Sequence, residues 1–434
     1  MGKFTHQPTK AFLRRCTIGG LSYFDSTNGN NFHVQELRIY EDICKIYFTG
    51  QLVIESHLNT SELFLNPGAE VVISFEAPRS DGGPTKIYTE KFRVYSYESK
   101  PREGDITNSM VITISLIGDE YYNDKANTVL ENFANKTGTA AAAAIHNSYI
   151  AENGGLSVPV PSLGMIGQDL HPHQVLNKKP VKAIHDILDK CVFAAYKSCA
   201  PIYFRNANGY AMGPLEYFLN NGTMTNKFVH LPAQGSDVKE ILIGYNNVIN
   251  FRPMSPPGED NSASRGAEID NLFKKSSFFD LKTGNYLTNA LSRFPAMSIA
   301  SQAFNAIKGN LEGKVKGKYG GRHMFSFIDE LRQPRAIDKN GPGGYNTSQD
   351  SFLSTLTYSQ KYWMSVPLQT GINTTCGDRV TIRYPIGIKP KPVWVQKELF
   401  VPRLIHELRF TEGKDRKQVT VTGTTDLFCV HWGS

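Results

Sequence analysis

Three dipeptides, one tripeptide and one basic stretch are the places where this sequence could carry chemistry. His406-Glu407 sets an imidazole beside a carboxylate. A zinc-peptidase helix, H-E-x-x-H, needs a second His three residues after the Glu so that both rings share one helical face. Position 410 is Phe, and the dipeptide lies in a strand-like pattern. His171-Pro172-His173 brings two imidazoles close together in a loop, but no further ligands stand nearby, so these read as surface histidines. Glu41-Asp42 and Asp119-Glu120 are paired carboxylates at strand ends, where solvated charge is common. A glycosidase sets its two carboxylates by separation in space, so adjacency in sequence does not favour that chemistry. No G-x-S-x-G nucleophile elbow and no G-x-x-x-x-G-K-[ST] phosphate loop occurs. The sequence therefore assigns no catalytic, cofactor-binding or metal-ligating residue.

The basic stretch holds Lys308, Lys314, Lys316, Lys318, Arg322, Arg332 and Arg335. Phosphate contact by such a tract would release counterions and depend steeply on salt. A solvated or protein-facing loop is the plainer expectation. Net charge is +7 over 434 residues, which permits an acidic partner without requiring nucleic acid.

The elements that would position these groups follow from composition and periodicity. A chain this long exceeds the roughly 250–300 residues of a single core, so more than one domain is expected. Its 20 Tyr and 25 Phe favour β structure. The six cysteines, Cys16, Cys44, Cys191, Cys199, Cys376 and Cys429, include no C-x-x-C pair and no neighbouring His cluster. They read as reduced thiols of a protein folded in the cytosol. The first 30 residues lack a long apolar core, so no secretory signal is expected, and nothing approaches 18 consecutive apolar residues.

From Phe32 to about Asp119, runs of period two separated by Gly, Pro and Asp predict an antiparallel sheet or barrel. ANTVLENFANKTG has Val129, Leu130 and Phe133 at helical spacing and predicts a helix ending at Gly138; TAAAAAIHNSYI predicts a second. KKPVKAIHDILDKCV has Pro180 suited to a first turn and an apolar stripe of Val181, Ile184, Ile187 and Leu188. PIYFRNANGYAMGPLEYF reads as a hairpin about Asn206-Ala207-Asn208-Gly209, and EILIGYNNVINF as a strand pair. FFDLKTGNYL reads as strand and turn, and ALSRFPAMSIASQAFNAI as helical, within an inserted region of loops. Strand character returns in KYWMSVPL, DRVTIRY, LFVPRLIHELRF and KQVTVTG.

One unit occurs twice. The stretch 68-GAEVVISF-75 is echoed by 377-GDRVTIRY-384, each a Gly followed by Val, Ile and an aromatic at alternate positions. RVYSYES and then MVITISL follow the first copy; LIHELRF and then QVTVTG follow the second. Residues two apart on a strand share a face, so Val71, Ile73, Val380 and Ile382 should point into cores. The expected fold is mainly β with α (α+β): two related antiparallel β-barrels, a helical connector and an inserted subdomain. The expected bounds are 1–122 for the first barrel and 123–199 for the connector. The second, split barrel takes 200–251 and 352–434, and the insertion 252–351.

The segment 36-ELRIYEDICKIYFTGQLVIESHLNTSELFLNPGAEVVISFEAP-78 resembles the N-terminal barrel of baseplate hub proteins of contractile-tailed bacteriophages. KKPVKAIHDILDKC with IYFRNANGYAMGPLEYF is similar to that family's helix-then-hairpin segment, and FDLKTGNYL to its short "D-L-x-T-K" element. SVPLQTGINTTCGDRVTIRYP with VPRLIHELRF is similar to its C-terminal barrel; from about Leu287 to Gln349 little matches. The resemblance implies a structural, non-enzymatic protein with tube-like barrels, similar to the base of type VI secretion spikes. It implies a homotrimer that joins a sixfold tail tube, or distal tube initiator proteins, to a threefold central spike. Baseplate wedge proteins are implied as further partners, with phage DNA passing transiently through the channel. No cofactor and no membrane-embedded segment are implied. The implied place is the virion tail baseplate, after folding in the host cytoplasm. The other readings are a tail-associated cell-wall hydrolase, the hub of a phage-like contractile injection or type VI secretion system, and a nucleic-acid-binding protein using 308–335.

Overall fold

The structure is a computed structural model. It describes residues 11–25, 29–30, 32–57, 65–77, 86–101, 109–134, 136–151, 155–156, 173–188, 201–231, 244–254, 275–280, 286–289, 323–328, 360–386, 393–412 and 419–431.

The chain begins with β1 (Ala11–Ile18), onto which β2 (Leu21–Ser22) folds back, and a small ribbon of β3 (Phe24–Asp25) and β4 (Gly29–Asn30). Then come β5 (His33–Asp42), β6 (Thr49–His57), β7 (Glu70–Ala77), β8 (Lys86–Pro101) and β9 (Ser109–Gly118). Their apolar residues alternate as a pleated strand requires: Leu37 and Ile39, Leu52 and Ile54, Ile112 and Ile114 are all buried. Next come helix α1 (Glu120–Ala126), β10 (Val129–Phe133), helix α2 (Gly138–Ile145) running on into a π turn (His146–Ile150), β11 (His173–Lys178) and helix α3 (Pro180–Leu188).

The helix expected over Val129, Leu130 and Phe133 is therefore corrected to a strand, paired antiparallel with β11. A spacing of four is even, so it keeps one face in a strand as well as on a helix; Val129 and Phe133 are buried while Leu130 is exposed. Gly138 opens the next helix instead of ending this one. Thr137 caps that helix by accepting the Ala140 N–H (3.3 Å), and the buried Ala141, Ala142 and Ala143 let α3 approach closely.

Next come the hairpin β12 (Pro201–Asn206) and β13 (Gly209–Pro214), helix α4 (Leu215–Asn221) and β14 (Met224–Val229). The hairpin turns where expected, with Asn206 paired to Gly209. β15 (Asn246–Asn247) and β16 (Asn250–Met254) follow, then a three-stranded sheet of β17 (Lys275–Asp280), β18 (Tyr286–Asn289) and β19 (His323–Ile328). The helix expected in 290–307 lies outside the described residues. Last come β20 (Gln360–Pro367), the short helix α5 (Leu368–Gly371), β21 (Arg379–Ile386), β22 (Val393–Glu412) and β23 (Val419–His431).

The large sheet contains a ring. β22 pairs with β5, the pairing runs on through β6, β9, β8, β7, β1 and β23, and β23 pairs back to β22. Only the far half of the long β22–β23 hairpin takes part; its near half pairs with β21 and β20, and β14 lies on β21 in parallel, which corrects the expectation of an all-antiparallel second barrel. There the chain from Asn246 to Met254 crosses from β14, where Val229 faces Asn247, to β20, where Asn250 faces Ser365.

The repeated unit has one pairing order in both copies: β5-β6-β9-β8-β7 in the first and β16-β20-β23-β22-β21 in the second, antiparallel throughout. Registers correspond residue by residue. Glu70 faces Arg93 as Arg379 faces Phe400, and after a bulge Ser96 faces Ser115 as Arg403 faces Phe428. Val71 and Ile73 are buried in one apolar cluster, Val380 and Ile382 in a second, as their spacing predicts. A third cluster is built from α2, the π turn and α3 with β10, β11 and the β12–β13 hairpin.

Candidate functional site

Alternation on β22 separates the adjacent pair flagged in the sequence. His406 faces the core, and Glu407 lies on the outer face with Arg38 at 3.5 Å and Arg409 at 3.1 Å. The two paired carboxylates split in the same way, which corrects the expectation that they are solvated. Asp42 and Asp119 are partly exposed, but Glu41 and Glu120 are buried. Of the histidine tripeptide, His171 and Pro172 lie outside the described residues and His173 opens β11. All seven cations of the 308–335 tract lie outside the described residues. Among the described residues no group of three His, Cys, Asp or Glu could hold a metal ion, and no helix is long and apolar enough to cross a membrane.

The structure brings together a set of buried charges that was not singled out in the sequence. Arg205, from β12, donates from Nη2 to Glu90 Oε2 of β8 at 2.9 Å, and both are buried. The guanidinium also lies over the Phe48 ring, 4.7 Å from its centroid. Burial raises the Glu90 carboxyl to about 7, with Arg205 opposing. Burial works to lower Arg205, but Glu90 and Glu120 outweigh it and the guanidinium stays charged. A few residues away, Glu41 Oε2 accepts the Cys376 N–H (2.9 Å), and Glu41 Oε1 lies 3.8 Å from His406 Nε2. His406 Nδ1 meets Thr425 Oγ1 at 2.8 Å.

These groups are clamps between elements. Glu41 ties β5 to the turn before β21 through the Cys376 N–H, His406 ties β22 to β23 through Thr425, and Arg205 ties the β12–β13 hairpin to β8. Breaking a buried ion pair from one side costs about 3–5 kcal/mol, because the other charge is left unpaired. Asp124 does similar work by accepting the Val181 N–H (2.8 Å) in the first turn of α3. The signal for Glu41 and Glu90 was present in the sequence: each lies in phase with the apolar face of its strand, Glu41 with Leu37 and Ile39, Glu90 with Tyr88 and Phe92. Their partners could not be read, since Glu90 and Arg205 are 115 residues apart.

The outer surface offers assembly chemistry. From β16 through β20, β23, β22, β5, β6 and β9 to β8, eight strands form one continuous antiparallel path. On its outer face Arg38 pairs with both Glu36 and Glu407, so cations and anions offset one another. Among the described residues both ends of this path are open. β7 covers β8 only as far as Arg93, and among the described residues 96–101 pair with β9 alone. β16 pairs only with β20 among the described residues. The β8 edge carries two exposed tyrosines, Tyr95 and Tyr97. Tyr is enriched at protein–protein contacts.

No protein-family model matches this sequence, and no curated protein matches it. Solved structures do resemble it. A tail protein from Neisseria meningitidis MC58 aligns at 12% identity with a TM-score of 0.49, over 97% of this chain and 96% of that one. A 43 kDa tail protein of prophage MuSo2 from Shewanella oneidensis aligns at 12% identity with a TM-score of 0.46, over 97% and 98%. A chain of the Francisella PdpA-VgrG complex aligns at 10% identity with a TM-score of 0.44, over 99% of this chain and 59% of its own length.

Proposed function

We propose that this chain is the structural hub of a phage contractile-tail baseplate. In this reading it is a homotrimer that joins a sixfold tail tube to a threefold central spike and lines the channel for genome passage. Each copy contributes two tube-like barrels, the first built on 1–122 and the second on 200–251 and 352–434, with the far half of the β22–β23 hairpin common to both. Residues 123–199 connect them, and 252–351 are an insertion free to depart from sixfold symmetry. Tube or tube-initiator, spike and wedge proteins are the partners, in the virion baseplate, and the role is not enzymatic.

The observation that carries this reading is the repeated pairing order, β5-β6-β9-β8-β7 and β16-β20-β23-β22-β21. A sixfold partner offers six equivalent docking surfaces. A threefold protein can meet all of them only if each chain presents its unit twice, and closed rotational symmetry stops further growth. The test is imaging of the assembled particle. Three copies of this chain in one ring, each touching the tube through both units, is the expected result. Six copies in a ring, or one unit per copy on the tube, defeats the proposal. The non-enzymatic part is tested separately by a peptidoglycan zymogram, where clearing by the chain alone would count against it.

A further inference from the structure

We infer that the open edge of β8 in one copy of this chain receives the open edge of β16 in the next, in a register fixed by the chain's own repeat. The inference deepens the trimer reading above and rests on it.

The repeat supplies the template. Within one chain, β22 continues past its bulge and pairs on its free side with β5, from Arg403 opposite Asp42 to Arg409 opposite Glu36. In the repeat β8 stands where β22 stands, with its bulge at the matching place. Yet the free side of β8 from 95 to 101 has no partner among the described residues. Likewise β16 stands where β5 stands, and its free side is empty among the described residues. The junction made once inside the chain, β22 to β5, thus has both of its counterparts, β8 and β16, at opposite ends of the sheet. A single chain cannot bring them together without curling the whole path shut. A neighbouring copy can.

Strand direction agrees. The path from β16 to β8 has eight strands in strictly antiparallel alternation, so its two end strands run in opposite senses. Copies related by rotation about an axis along the strands therefore meet antiparallel, the same geometry as β22 against β5. An odd number of strands would have forced a parallel seam.

Register follows by correspondence. Phe251 faces Met364, which faces Leu427, just as Leu37 faces Leu52, which faces Ile114. Since Leu408 faces Leu37 and Glu407 faces Arg38 inside the chain, Pro101 should face Phe251 and Lys100 should face Arg252 of the next copy. The internal seam sets Glu407 against Arg38, whereas the seam between copies opposes two cations, with Glu98 two residues along. Like charges directly opposite weaken a strand pair. Pro101 lacks an N–H and limits the ladder at that end. Both features keep the free edges from pairing at random and make this seam weaker alone than the internal one.

The test is disulfide trapping in the full chain on a Cys44→Ser background. Lys100→Cys with Arg252→Cys, under mild oxidation, should give a covalent product that stops at three copies and falls to monomer on reduction. Each single variant should stay uncrosslinked, and Lys100→Cys with Asn250→Cys, two residues out of register, should trap less. Absence of product above the single-variant background overturns the seam, as does a ladder that grows past three. Particle images separate the two ideas. A threefold ring of this chain without the trapped product sinks the seam and leaves the hub standing, whereas images with no threefold ring remove both.

Discussion

Gly377 stands in the second strand set where Gly68 stands in the first. Gly68 has φ +84° and donates its N–H to Val94 O at 2.8 Å; Gly377 has φ +91° and donates to Val401 O at 3.0 Å. Each Val returns the bond to the residue after its glycine, Val94 to Ala69 O and Val401 to Asp378 O, both at 2.9 Å. The left-handed backbone turns the chain so that the glycine closes the ladder at its mouth, just before the bulge on the partner strand.

Alanine at either glycine should therefore destabilise, by about 1–2 kcal/mol for the left-handed conformation alone. Gly377→Ala should cost more than Gly68→Ala. A Cβ at 377 would lie 2.9 Å from the Phe204 ring, whereas at 68 its nearest neighbour, in Tyr122, is 3.8 Å away. Thermal unfolding of the two variants checks the order. Equal or negligible shifts would mean that the two turns are not held as described.

Glu90 gives a pH prediction. Burial holds its folded pKa near 7, above the ordinary carboxylate value of 4.5. Between those values the folded state keeps a proton that the unfolded state has released, so this group's contribution to stability falls as pH rises. Glu90→Gln cannot ionise. The stability difference between wild type and Glu90→Gln should thus move in the variant's favour from pH 4.5 to 7, measured as paired unfolding midpoints. Movement in the opposite direction would show that the Arg205 pair outweighs burial.

Asp124 makes a third case. Its carboxylate accepts the Val181 N–H, so Asp124→Ala should cost about 1–2 kcal/mol as a lost helix cap. Asp124→Asn keeps an acceptor and should cost less. Hydrogen exchange over 180–188 is the local readout, and an alanine variant with unchanged exchange there would refute the capping role.

Strands with clean alternation were legible in the sequence because burial on one face imposes period two; Ile112, Ile114 and Leu116 in β9 are the plainest example. The duplicated unit was legible for the same reason, since Val71, Ile73, Val380 and Ile382 mark equivalent inward positions. The strand at Val129–Phe133 is ambiguous in the sequence because a spacing of four fits both periods. The sharing of the β22–β23 hairpin could not be read at all. Pairing partners such as Glu407 and Arg38 are hundreds of residues apart, and only tertiary closure brings them together. The buried charges were half legible, as acids in an apolar phase with no visible partner.

The last prediction concerns that shared hairpin. Gly423 in β23 faces Leu408 in β22, and a Cβ there would lie 2.0 Å from Glu407 O and 3.1 Å from Leu408 Cα. These are backbone atoms, so no side-chain rotation relieves the clash. β22 cannot step aside either, because at Glu407 and Leu408 it is paired with β23 on one side and β5 on the other. Gly423→Ala should therefore cost about 3 kcal/mol, the upper part of the range for overpacking. The neighbour Thr422 is exposed, and Thr422→Ala should stay within about 0.5 kcal/mol of wild type. The damage should also spread. β22 runs unbroken from the strand set around β21 into the ring that includes β5, so hydrogen-exchange protection should fall both in 36–42 and in 393–400. If protection falls in 36–42 alone, the hairpin is a local lid on the ring and does not couple the two strand sets.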